Sequence, residues 1–368
     1  MTGCYASCPP NDLMNILWQL LLQKQVSGGA AMVEIDRRIR ALNRNEFENL
    51  VELANINHVV MRGIEIVQQI MQNAGGGARA EWAQGVLRAE RARITNALSF
   101  LEEVCAAFEG ERYDVTVMKS LDHWPDLGSD LDLYTNAAPS DVISLMRMRF
   151  KAEIAPRSWG DRLASKWNFV IPGLPELVEI HIGRLGQTGE QREIASRLPE
   201  RGRLVVVGNR TFRVPSISDR LMISTLQRMY RHFYFRLCDI VDSAALADAG
   251  EIDYLALRAW AESAGIWEGV ATYLVVVSDY VKTYRGSGLH LPSFVRDSAR
   301  FGGAKVHYSR GFLRVPIIPQ SASLYSSQLT ELLRRRNLES TARLSLLPWL
   351  ATAAVVGQKI TGSDKGIW

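Results

Sequence analysis

Two aspartates, Asp130 and Asp132, stand two residues apart in the apolar run Ser129-Asp130-Leu131-Asp132-Leu133-Tyr134. Side chains alternate along a strand, so both carboxylates leave one face. Ser129, Leu131 and Leu133 leave the other face, where the leucines can be buried. Two unpaired carboxylates on a half-buried strand repel each other and lose hydration, a cost too large for a packing choice. A divalent cation removes that cost, and hard oxygen ligands suit Mg²⁺. Just upstream, Tyr113–Met118 reads as a strand that ends in a turn at Lys119-Ser120. Backbone N–H groups, a hydroxyl and an ammonium at such a turn could hold phosphate oxygens. Ser129 adjoins the acidic pair and could approach a metal-bound phosphate, on weaker grounds.

With those residues in place, the segment Val115–Thr135 resembles the active-site core of the DNA polymerase β-like nucleotidyltransferase superfamily. That core has a small-residue turn, then Asp-x-Asp on a strand, then a third carboxylate on a later strand. Here Lys119-Ser120 stands at the turn and Asp130-Leu131-Asp132 supplies the pair. The later strand is Leu177-Val178-Glu179-Ile180-His181-Ile182, with Glu179 as the third carboxylate. More narrowly, the chain is similar to a bacterial family of largely uncharacterised nucleotidyltransferases. Those carry a Lys-Gly turn, an Asp-Ile-Asp-Leu-like strand and a Val-Asp-Leu-His-like strand. Ser120 replaces the turn glycine and Glu179 replaces the aspartate. The similarity is strongest over residues 110–245.

The resemblance implies transfer of a nucleoside monophosphate from an NTP, such as ATP, to an acceptor hydroxyl, with release of pyrophosphate. Mg²⁺ or Mn²⁺ would supply the charge neutralisation. Asp130, Asp132 and Glu179 are then the catalytic and metal-binding set, with Glu179 as second-site ligand or general base. Lys119, Ser120 and Ser129 are the nucleotide-binding candidates. His181 shares a face with Glu179 and could orient it or touch the acceptor. Three acceptor classes fit: a small molecule, a protein side chain or an RNA end. The mild net charge of +4 weighs against RNA. Two other readings stay open. One is a nucleotide-binding or regulatory module that has lost catalysis. The other is a toxin-type transferase acting on RNA or protein.

The elements that must position these residues follow from patterning. A length of 368 residues suggests two or three domains. We expect an α+β chain: a small mixed sheet as a nucleotidyltransferase core over 111–215, a helical region over 1–110 and a helical domain over 216–368. Helical spacing is expected at Ala30–Leu42, Glu46–Gln72, Ala80–Phe108 and, unbroken, from Ile217 to about Leu246. Ser140 is the expected cap of a helix over 138–151. Gly208-Asn209 reads as a hairpin turn.

Several residues receive ordinary readings. The basic run from Arg147 through Arg149, Lys151, Arg157 and Arg162 to Lys166 is mostly solvated. Arg88 to Arg93 forms a solvated helix face, with Glu90 and Arg93 paired. The mixture of basic and aromatic residues in Arg228–Arg236 suits base stacking, though helical aromatics are more often core. His123 reads as an exposed loop histidine. Cys4, Cys8, Cys105 and Cys238 read as reduced thiols. No signal peptide or spanning run is visible, so a cytoplasmic protein with no membrane partner is expected.

Overall fold

Apolar residues at helical spacing wind the first part of the chain into five helices. They are α1 (Asp12–Leu22), α2 (Ala30–Ala41), α3 (Arg44–Ile56), α4 (Val60–Asn73) and α5 (Ala78–Gly110). The computed structural model describes residues 12–23, 30–73, 75 and 77–353. Cys4, Cys8, the expected tail at Thr361–Trp368 and the end of the apolar stretch 346–356 lie outside the described residues.

The helix expected over Glu46–Gln72 is in fact two helices. The chain breaks at Asn57-His58-Val59, where His58 takes φ 53°, a left-handed conformation that histidine adopts more readily than most residues. The buried Asn57 side chain holds the break. Its Oδ1 accepts from the Leu237 N–H (2.9 Å), and its Nδ2 donates to the carbonyls of Leu53 (3.0 Å) and Gly311 (3.1 Å).

Period-two patterning then builds a five-stranded sheet from β1 (Thr116–Met118), β2 (Asp130–Thr135), β3 (Glu153–Ile154), β4 (Lys166–Val170) and β5 (Leu177–Ile182), in the order β1-β2-β5-β4-β3. β2 and β5 are parallel neighbours and the other pairings are antiparallel. The parallel pair needs a long connection. It is provided by α6 (Pro139–Phe150), β3, α7 (Trp159–Leu163) and β4. Leu131, Leu133, Val178 and Ile180 are fully buried, which fixes the register. Pro139 occupies the first helical position of α6, so Ala138, not Ser140, is its N-cap. After α8 (Arg192–Arg201), β6 (Arg203–Val207) and β7 (Arg210–Val214) form the expected hairpin around Gly208-Asn209, but as a separate two-stranded sheet.

The helix expected from Ile217 to Leu246 is interrupted. α9 (Ile217–Thr225) passes into a π-helical turn at Leu226–Arg231, then a short strand β8 (Tyr234–Phe235), before α10 (Leu237–Asp248). Such turns insert a residue into the helical ladder and re-aim the side chains that follow. Phe233 takes φ 56° as the chain reverses. Gly269 lets the Tyr230 ring lie directly on the neighbouring helix backbone, where any side chain would collide with it.

The remaining helices are α11 (Tyr254–Ser263), α12 (Trp267–Arg285), α13 (Ser293–Ser298), α14 (Ala322–Arg334) and α15 (Leu338–Leu344). A hairpin of β9 (His307–Ser309) and β10 (Phe312–Arg314) adds to β8. The chain is thus α+β, with a small mixed sheet between helical segments. Its buried apolar residues form one continuous cluster from Met14 to Leu324. Among the described residues, no helix is long and apolar enough to cross a membrane.

Candidate functional site

The parallel register sets Asp132 directly opposite Glu179. Opposed residues on adjacent strands project to the same side, so the two carboxylates meet. Both residues are buried, at 8% and 9% exposure. The turn after β1 swings Lys119 over them, with φ 55°. Its ammonium contacts the Asp132 carboxylate and lies 3.4 Å from Glu179 Oε1. Lys166, two residues before the β4 position that faces Glu179, reaches Glu179 Oε2 (2.9 Å) and Asp161 Oδ1 (2.8 Å). His181 Nε2 lies 2.8 Å from Glu179 Oε1 and 3.9 Å from Asp132 Oδ1. Lys119 and Lys166 are therefore buried partners of the carboxylates, and Lys166 is not part of a solvated basic run.

The electrostatics follow from this packing. Burial pushes the Asp132 carboxyl up, and the adjacent Glu179 charge adds to the effect against the pull of Lys119. Burial also opposes ionisation of Glu179, but Lys119, His181 and Lys166 together outweigh it and hold that carboxylate well below the usual range. Burial lowers His181 to about 4, against the pull of Glu179, so its imidazole is neutral at pH 7.

Asp132, Glu179 and His181 can each offer one ligand atom within 4.8 Å of the others. Two carboxylates and a neutral imidazole fit a divalent cation. Lys119 bridges the two acids as a counter-charge. Asp130 lies on the same strand face, half-buried, with its carboxylate turned to the Ser129 hydroxyl (3.4 Å). It stands at the mouth of the cleft and outside the tight group.

Ser120 is nearly fully buried. Its hydroxyl accepts from the Asp132 N–H (2.8 Å) and donates to the Asp130 carbonyl (3.3 Å), stitching the turn to β2. Ser120→Ala is therefore expected to cost about 1–3 kcal/mol of stability, the penalty for an unpaired buried N–H. Urea unfolding would read it. Any loss of NTP affinity would follow from the loosened turn, and unchanged stability would rule out the stitch.

The carboxylates face a cleft of about 280 Å³ whose opposite wall is the interrupted segment 226–236. The wall carries Arg228, Arg231, His232, Tyr234 and Arg236. Arg228 is buried and paired with Asp239 (2.7 Å). The guanidinium carbons of Arg228, Arg236 and Arg314 lie 5.7, 5.9 and 5.8 Å from the Tyr234 ring centroid. A helix would have spread these side chains around its circumference. The π turn and β8 gather them on the cleft instead. A second pocket of about 40 Å³ lies beyond Lys119 and His181, against Leu185, Gln187 and Tyr230.

The loop between β1 and β2 is held by residues that looked ordinary in sequence. Arg93 pairs with Glu90 (2.7 Å) as expected, but also binds Glu176 (2.6 Å) and the carbonyls of Leu127 (2.9 Å) and Gly128 (3.2 Å). It is thus an anchor and not a solvated face residue. His123 is mostly buried, not an exposed loop histidine. Its Nδ1 lies 2.5 Å from Asp242 Oδ2, and its Nε2 lies 3.6 Å from Cys238 Sγ. No protein-family model matches this chain, and no curated protein matches it either.

Proposed function

We propose that this chain is a Mg²⁺-dependent nucleotidyltransferase that moves a nucleoside monophosphate from an NTP to an acceptor hydroxyl and releases pyrophosphate. The observation that carries the reading is the parallel β2–β5 register, which opposes Asp132 to Glu179 in a cleft faced by arginines. The turn at Lys119, at the head of the same cleft, supports it further. Asp132 and Glu179 would hold the metal, and Asp130 would join them only by turning its carboxylate inward from the mouth of the cleft. When bound, the metal neutralises charge on the transferred phosphoryl group and lowers the pKa of the attacking hydroxyl.

The chain's own residues do the rest. Lys119 and Arg231 face the cleft as counter-charges for the triphosphate. Tyr234, with arginines around its ring, offers a face on which a base can stack. Glu179 already accepts from Lys166 and His181, so it has little spare basicity. That favours a ligand role over a general-base role. His181 adjoins the second pocket, which suits it to the acceptor side.

The test is incubation with each labelled NTP and Mg²⁺, followed by mass spectrometry of protein, RNA and small-molecule fractions. Pyrophosphate release with label on an acceptor is expected. Glu179→Ala is expected to keep NTP binding while stopping transfer, measured by equilibrium binding and turnover. Wild-type turnover in that variant would remove Glu179 from the mechanism.

One observation favours a second reading, a nucleotide-binding module without transfer. The Lys119 ammonium bridges Asp132 and Glu179, as a permanent counter-ion would. NTP binding that is indifferent to Mg²⁺, with no pyrophosphate, would select that reading.

A further inference from the structure

On the cleft wall away from the carboxylates, three residues from distant parts of the chain converge: His58 at the α3–α4 break, His123 in the β1–β2 loop and Cys238 in the first turn of α10. We propose that they form a second metal site, of the zinc class, independent of the carboxylate centre and of any transferase activity. One ligand atom from each lies within 4.8 Å of the other two. Thiolate and imidazole ligands select Zn²⁺ over Mg²⁺.

The geometry is that of a site with its second shell already built. Asp242 lies within hydrogen-bond distance of His123 Nδ1 and so turns Nε2 toward the sulfur. Asp242 is itself held by Arg62 Nη1 (2.5 Å). A tetrahedral zinc with ordinary Zn–S and Zn–N bonds separates sulfur from nitrogen by about 3.6 Å. His123 Nε2 and Cys238 Sγ are 3.6 Å apart. His58 adds an independent sign: its Nδ1 is buried and makes no hydrogen bond. Such an atom is a standing cost that a ligand would remove.

Of the nearby guanidinium groups, Arg236 on the cleft wall opposes a cation, while the others are neutralised by carboxylates. Arg62 pairs with Asp126 and Asp242, Arg228 with Asp239, and Arg93 with Glu90 and Glu176. Binding would release the Cys238 thiol proton and any proton carried on His123 Nε2, since both atoms must be deprotonated to ligate. His58 and His123 line the cleft, so the fourth position would open toward it. The same groups could be read as a Cys–His–Asp nucleophile. Cys238 is fully buried, however, and puts no atom on the cleft. The site would instead tie three distant segments together at one wall.

The experiment is titration of the metal-stripped full chain with Co²⁺, followed by Zn²⁺ competition. One equivalent should give a sulfur-to-cobalt charge-transfer band with tetrahedral visible absorption, and Zn²⁺ should remove both. Cys238→Ser should abolish the charge-transfer band. The Asp130→Asn/Asp132→Asn double variant should keep it, as should Cys4→Ser/Cys8→Ser/Cys105→Ser. Asp242→Asn should weaken Zn²⁺ binding about 10–100-fold. The proposal is overturned if the wild-type chain gives no such band, or if the band survives Cys238→Ser. Alkylation of Cys238 at a rate that Zn²⁺ does not change would overturn it equally.

Discussion

Asp132→Ala is expected to lower NTP turnover by roughly 10³-fold or more. Metal-assisted stabilisation of phosphoryl charge is worth several kcal/mol, and each 1.36 kcal/mol is a tenfold change in rate. Asp132 sits at the centre of the candidate cluster, opposite Glu179 and in contact with Lys119. Its removal takes a ligand from any bound cation and lets Lys119 settle on Glu179 alone. The fold should tolerate the change, because Lys119 keeps one carboxylate partner and Leu131 and Leu133 still anchor β2. Pyrophosphate release at saturating NTP and Mg²⁺ gives the rate, and circular dichroism checks the fold. A variant that retains turnover within tenfold would remove Asp132 from the mechanism.

Asp126→Ala should produce a large loss of stability for a single change near the cleft. Asp126 is 1% exposed. It accepts from the Met61 N–H (2.6 Å) and from Arg62 Nε (2.7 Å), pinning the β1–β2 loop to the start of α4. Breaking a buried charge pair costs about 3–5 kcal/mol. The lower end, about 3 kcal/mol, applies here because Arg62 keeps Asp242. Urea or guanidinium unfolding would measure it. The exposed pair Glu34–Arg37 is the control, since solvent screens it and Arg37→Ala should leave stability unchanged. A loss for Asp126→Ala no larger than that control would mean the loop is held elsewhere.

The parts legible in sequence are those with local periodicity. β2 and β5 could be read because Leu131, Leu133, Val178 and Ile180 alternate with polar residues. The face shared by Asp130 and Asp132 follows from the same period. The Gly208-Asn209 hairpin was legible from turn chemistry. The breaks were not. Apolar spacing runs smoothly through Asn57-His58 and through 226–236, and only long-range partners interrupt the helices there. Asn57 is drawn to Leu237 and Gly311, and Arg228 to Asp239. The one local hint was Asn57-His58 itself, since both residues tolerate the left-handed region. His123, Cys238 and Asp242 meet across more than a hundred residues of chain, a contact that leaves no periodic trace. Lys166 looked like a surface cation because nothing in a linear pattern shows which charges a sheet will face inward.

The Asn57 joint has a consequence for assembly. It links the end of α3, the start of α10 and the β9–β10 hairpin through hydrogen bonds spanning up to 254 residues of separation. Contacts that distant must overcome the full loop-closure entropy of the intervening chain, so they form late. The sheet that carries the carboxylates can pair from nearby sequence, while β8 in the arginine wall opposite it waits for its partner strand β10. A nascent chain released before the hairpin emerges would hold Asp130, Asp132 and Glu179 opposite a wall whose strand β8 is still unpaired. The proposed nucleotide cleft would then be complete only once the whole chain has closed.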